Sequence, residues 1–175
     1  MKRFSLAMAL CAIGITLCSP QAHALSKKDL QILGRALGFI ENGPSGNIKI
    51  GIVHDAGSAI SLSEADEMIA LINGGIHSGK LNIHAEKISS KSVVKENFPV
   101  LYFTEGTESQ QATIFNEATS KGVITVSTHD SCLGTASCVM VIKSSPTVDI
   151  KVSKAAATST GVSFGSAFRM MVSEH

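Results

Sequence analysis

The chain has 175 residues, with 15 Lys and Arg against 14 Asp and Glu, one Tyr, seven Phe and no Trp. So even a charge balance, without a basic stripe, excludes the electrostatic footprint of a nucleic-acid binder and a polybasic hold on anionic lipid. So few aromatic rings leave no stacked platform for a sugar.

Lys2 and Arg3, the apolar run Phe4 to Leu17 and the Ala22-His23-Ala24 site read as a secretory signal peptide cleaved after Ala24. The run is too short to cross a bilayer, which takes about 20 apolar residues, and Leu17 before Cys18 does not suit a lipoprotein site. The expected organisation is a signal peptide over residues 1–24 and one domain over residues 25–175, soluble in a bacterial periplasm and without a membrane span. A domain of that length buries about two-thirds of its chain surface. Cys11 and Cys18 leave with the signal. Cys132 and Cys138 remain, close in sequence in an oxidising compartment, and most simply read as a disulfide.

Ser26 is expected to cap a helix over residues 27–40, with Leu30, Leu33, Leu37 and Ile40 on one face. Gly43-Pro44-Ser45-Gly46 breaks it. Residues 47–53 alternate Ile48, Ile50 and Ile52 against Lys49 and Gly51, a strand. Ser61 with Glu64, or Ser63 with Asp66, offers the cap of a helix over residues 64–72 that Asn73-Gly74-Gly75 ends. Residues 81–88 read as a strand, and residues 99–103 as a short buried one. Thr107 and Gln110 suggest a capping box for a helix to Lys121, stopped by Gly122. Residues 123–126 are the next strand. Residues 138–143 and 147–152 form two strands joined by Ser144-Ser145-Pro146, a hairpin by composition. Ser153 caps a short alanine-rich helix, and Phe164, Phe168 and Met171 recur at helical spacing in the last segment. This order predicts the α/β class: a single three-layer domain with a mostly parallel sheet, right-handed crossovers and a C-terminal antiparallel hairpin at the edge.

Ligands in parallel α/β sheets collect at the carboxyl ends of the strands. Three such loops carry His54 and Asp55, then Glu105, then His129 and Asp130. Two imidazoles and three carboxylates on one rim would suit a small polar ligand. A divalent metal is less expected, because no H-x-x-H or H-E-x-x-H spacing supports it. Turn and cap roles are the plainer reading of these residue types. No C-x-x-C redox pair is present, and no catalytic constellation or cofactor is expected. The Cys132–Cys138 bridge reads first as a staple and second as a redox latch.

Phe39-Ile40-Glu41 and Pro44 before the Ile48 to Val53 strand resemble the opening of the YfiR-like periplasmic family. Val123 to Ser127 is similar to that family's strand before its variable loop. Ile150-Lys151-Val152-Ser153, the alanine-rich helix, Gly161-Val162 and Phe168 to Met171 are similar to its C-terminal signature. Two departures stand out: the expected Trp is replaced around Asn42-Gly43, and the expected Asn by Ser153. The resemblance implies a small α/β periplasmic regulator, not an enzyme. It would bind the periplasmic domain of an inner-membrane signalling protein of the diguanylate cyclase type, with repression tuned by disulfide state. The second bridge of that type has no cysteines here to form it. Phe164 and Val148 are candidate contacts, and a homodimer is one arrangement this reading allows. The alternative is a periplasmic small-ligand-binding protein using the rim of His54, Asp55, Glu105, His129 and Asp130.

Overall fold

Ser26 opens helix α1 (Lys27–Leu37) with a reciprocal cap: its Oγ accepts from the Asp29 N–H at 3.2 Å, and its own N–H donates to the Asp29 carboxylate at 2.7 Å. The structure is a computed structural model that describes residues 26–93 and 96–175. The signal-peptide reading therefore falls outside the described residues. The α1 turn ends earlier than expected because Gly38 and Phe39 leave the helix so that Ile40 can bridge to Phe164.

Strand β1 (Gly46–His54) follows, then α2 (Ala59–Ile72), β2 (Ile76–Ser78), β3 (Leu81–Ser89) and β4 (Val100–Phe103). Helix α3 (Glu108–Thr119), β5 (Ile124–Ser127), α4 (Ser131–Gly134), β6 (Met140–Lys143) and β7 (Asp149–Val152) come next. Helices α5 (Lys154–Thr160) and α6 (Ser166–Arg169) precede β8 (Ser173–Glu174). One domain results, with the described strands in one sheet of order β2-β3-β1-β4-β5-β6-β7-β8. Pairing is parallel throughout except β2 with β3 and β6 with β7.

The expected mostly parallel α/β sheet is thus present, and so is the β6–β7 hairpin. That hairpin is not the edge: β8 lies outside β7 and runs parallel to it. The alternation of β1 explains the two cores. Ile48, Ile50 and Ile52 face one layer with Leu30, Leu33 and Leu37 of α1 and Met68 and Ile72 of α2. Val53 faces the other with Phe103, Ile114 and Ala118, next to Cys132 and Cys138. Helices therefore cover both faces, which a parallel sheet requires.

Two expected caps give way to other bonds. Helix α2 starts earlier, at Ala59, because Ser58 is its cap and accepts from Ser61 N–H at 3.4 Å. Thr107 makes no capping box: its hydroxyl donates to the Thr104 carbonyl at 2.6 Å and leaves the α3 amides to the Thr107 carbonyl. Phe164, expected on the surface, is buried against Phe168 with ring centroids 5.2 Å apart, whereas Val148 is exposed. Among the described residues, no helix is long and apolar enough to cross a membrane.

Candidate functional site

The chain path reverses beside β1: β3 lies on one side of it and β4 on the other. Such a switch point is where open α/β sheets form a crevice at the carboxyl ends of their strands. Here the side chains of α2 fill it. Ser61 Oγ lies 2.6 Å from Thr104 Oγ1 and accepts from Asp55 N–H at 2.9 Å, so α2 is tied to the ends of β1 and β4 together. Thr104 also donates to the Val53 carbonyl at 2.8 Å.

One helical turn further, Glu64 is the hub of the site. Its Oε1 accepts from Tyr102 Oη at 2.6 Å, and its Oε2 accepts from the Glu105 backbone N–H at 2.7 Å. His129 Nε2 lies 3.3 and 3.2 Å from the two oxygens. Tyr102 Oη is also 2.8 Å from Thr128 Oγ1. Glu64 thus joins α2 to the ends of β4 and β5. It escaped the sequence reading, which assigned it to a helix cap. Its partners lie far along the chain, and no local spacing signals them.

Burial raises the Glu64 pKa, but hydrogen bonds from His129, Tyr102 and the Glu105 amide outweigh it and hold the carboxyl below its ordinary value. Burial pulls His129 down. The bond to Glu64 and the negative charges of Glu64, Glu105 and Glu108 outweigh that and leave its pKa raised. Burial and the Glu64 charge push the Tyr102 phenol well above 10.0. The group is a closed ion-pair clamp with every Glu64 oxygen engaged, and a phenol so hard to ionise is a poor nucleophile or base.

The five rim residues separate into different roles. His129 joins Glu64, and Glu105 contributes its backbone N–H. Asp55 serves its own turn, accepting from Gly57 N–H at 2.9 Å, and accepts from Gln110 Nε2 at 3.2 Å. Asp130 turns to the β6–β7 hairpin, accepting from Lys143 at 2.6 Å and Lys151 at 3.1 Å. His54 is buried and its Nδ1 has no partner among the described residues. Groups of three or more His, Cys, Asp or Glu placed to hold a metal are absent among the described residues.

Beside the clamp, Asp29, Leu33, Tyr102, Val126, Thr128 and Ile142 line a cavity of about 10 Å³, room for no more than a water. A far wider groove, about 580 Å³, lies at the amino ends of the strands, with Pro44, Pro99, Gly122 and Gly161 on its walls. Asn42, with φ of 57°, shapes that side of the molecule.

The disulfide joins Cys132 and Cys138 with Cα atoms 5.4 Å apart and closes α4 against the start of β6. Cys132 Sγ approaches the His129 carbonyl at 3.4 Å. A disulfide sulfur carries no proton, so this is a contact that sets the bridge against the clamp loop.

Between α5 and α6 the chain carries a G-x-S-x-G string, Gly161-Val162-Ser163-Phe164-Gly165, although no catalytic constellation was expected. A nucleophile elbow needs a strand before the serine and a helix after it. Here a helix, α5, precedes Ser163, whose carbonyl accepts from Glu41 N–H at 2.8 Å while Phe164 bridges to Ile40. The string is a crossing of two chain segments.

No curated protein matches the chain at a significant level. Among solved structures, it is similar to the ligand-free, open form of CD0873, a substrate binding protein with adhesive properties from Clostridium difficile. The TM-score is 0.60 at 13% identity, over 85% of this chain and 58% of that one. It is also similar to an ABC domain in complex with L-Trp from Streptococcus pneumonia, with TM-score 0.57 and 8% identity over 85% of this chain and 59% of that one. A conserved domain protein from Vibrio cholerae gives TM-score 0.56 and 14% identity, over 85% of this chain and 59% of that one. The chain spans less than two-thirds of each, and at these identities the likeness is one of fold. The family profile DUF4154, YfiR/HmsC-like, matches residues 38–171, so the groove turn, the clamp and the disulfide all fall inside it, and the chain belongs to the YfiR/HmsC-like family.

Proposed function

We propose that this is a non-enzymatic periplasmic regulator that binds the outer domain of an inner-membrane signalling protein of the diguanylate cyclase type. The family match over residues 38–171 is the observation that carries this reading. Members of the family are periplasmic regulators, and the disulfide agrees with an oxidising compartment. The signal-peptide pattern over residues 1–24, cleaved after Ala24, supplies the route.

The chemistry of the strand ends supports contact over turnover. Glu64, His129 and Tyr102 are spent on one another, and Asp130 is spent on two lysines. Among the described residues, the large apolar side chains left exposed are Phe39, Ile60, Val148, Met170 and Met171, of which Val148 belongs to the hairpin surface anticipated for contact. The test is affinity capture of the tagged mature protein from solubilised membranes. Recovery of one membrane signalling protein with a periplasmic domain is expected. Recovery of none at any detergent or salt condition sinks the reading.

Ligand binding at the carboxyl ends of the strands is the second reading. The switch point favours it by position, and two structural neighbours are a substrate binding protein and a domain bound to L-Trp. Binding would require α2 to withdraw Ser61 and Glu64, whose side chains are bonded to the ends of β1, β4 and β5. A thermal-shift screen against amino acids and metals decides: saturable stabilisation lost in His54→Ala and His129→Ala favours the ligand.

A further inference from the structure

Two of the four methionines among the described residues are fully buried, Met68 and Met140, both 0% exposed. The other two are adjacent and open: Met170 is 84% exposed and Met171 65%. Both cysteines among the described residues are locked in the disulfide. Among the described residues, the reactive sulfur offered to solvent is therefore thioether, concentrated on one turn.

That turn is held from both sides. Phe168 is buried and stacks on exposed Phe39 with centroids 5.0 Å apart. Met171 N–H donates to the Phe168 carbonyl at 2.9 Å. Beyond the pair, β8 adds to β7, and Glu174 is bonded by Arg169 at 2.7 Å and lies 3.4 Å from Lys154. A change at the two sulfurs would alter the surface without loosening the core.

We propose that Met170 and Met171 form an oxidation site for hydrogen peroxide and hypochlorous acid. With hydrogen peroxide, each thioether sulfur attacks one peroxide oxygen, the S–O bond forms as the O–O bond breaks, and the other oxygen leaves as water. With hypochlorous acid, sulfur attacks chlorine and hydroxide leaves; water then displaces chloride from the chlorosulfonium sulfur, its two protons passing to the hydroxide and to solvent. Sulfur is oxidised by two electrons and the oxidant is reduced by two. The sulfoxide is polar and is returned to thioether by methionine sulfoxide reductases. Oxidation turns the exposed apolar surface of Met170 and Met171 into a polar one. Its effect on a partner seated there rests on the regulatory reading above; the modification itself does not.

The test exposes the folded mature protein to graded hydrogen peroxide and to hypochlorous acid, followed by peptide mass mapping. The peptide with residues 170 and 171 should gain one oxygen per methionine roughly tenfold or more faster than those with Met68 and Met140, which react only through opening. Retention on a hydrophobic-interaction column should fall in step, with an unchanged melting temperature, and be restored by the reductases. Met170→Leu/Met171→Leu should keep its retention through the same treatment. The single Leu variants, each losing about half the shift, serve if the double variant folds poorly. Equal oxidation of all four sulfurs, or full oxidation of the pair without a retention change, overturns the proposal. Absence of any complex with the unoxidised protein would instead count against the regulatory reading and leave the mapping result standing.

Discussion

Glu64 should matter more to stability than any residue of the anticipated rim. Glu64→Ala removes the acceptor of Tyr102 Oη, of the Glu105 N–H and of His129 in one step. Tyr102 keeps Thr128, but the amide and the imidazole lose their partner. Breaking one side of a fully buried pair costs about 3–5 kcal/mol. Side-chain exposures of 13% for Glu64 and 21% for His129 let water recover part of this, which places the expected loss near the lower end, about 3 kcal/mol. Glu64→Gln keeps one acceptor and loses the charge, so about 1–2 kcal/mol is expected.

The pH dependence has two opposing limbs. His129 is raised above its ordinary 6.5, so its contribution is full below that value and is lost as pH rises through the folded one. Glu64 is lowered below its ordinary 4.5, so its contribution is full above that value and is lost as pH falls through the folded one. The pair therefore stabilises most between about pH 4.5 and 6.5. Urea unfolding from about pH 5.5 to 8.5 should show the wild type losing stability relative to Glu64→Gln as pH rises. A difference between the two proteins that is zero or constant across that range would refute the clamp.

Tyr102→Phe should cost about 1–2 kcal/mol by leaving Thr128 and Glu64 short of a partner, and a double-mutant cycle with Glu64→Gln should show non-additivity. Cys132→Ala/Cys138→Ala should lower unfolding free energy by about 2 kcal/mol, the chain entropy of so short a loop, and should abolish the effect of reductant on the urea midpoint. Gly34→Ala should destabilise although alanine favours helices: its Cβ would sit 2.5 Å from Ser78 Cβ and 2.7 Å from Ser78 Oγ. The overpacking cost exceeds the propensity gain by about 1–2 kcal/mol, readable as a lower urea midpoint.

Local patterns carried most of the fold. The isoleucine alternation of β1, the Ser26 cap and the hairpin at Ser144-Ser145-Pro146 are each written within a few residues, and so was the cysteine pair. The family likeness was legible in the turn at Pro44 and the alanine-rich helix, and the profile match agrees with it. What local pattern could not carry was choice among equivalent signals. Ser58, Ser61 and Ser63 all suit a cap, and the deciding factor is that Ser61 is claimed by Thr104 across the sheet. Strand β8 is two residues long and exists only because β7 offers an edge. The rim was drawn from residues at strand ends, whereas the pairing runs through a helix side chain, Glu64, meeting partners 38 and 65 positions away. Asp130 looked like a neighbour of His129, yet the lysines of the hairpin, distant in sequence, attract it the other way.

Contact with a membrane cyclase is tested most directly by the cyclic-di-GMP content of cells lacking the gene, compared with cells that express the protein with and without residues 1–24. A rise on deletion, reversed only by the exported form, is expected of a periplasmic repressor. Unchanged levels in all strains, or full reversal by the form confined to the cytoplasm, would contradict it.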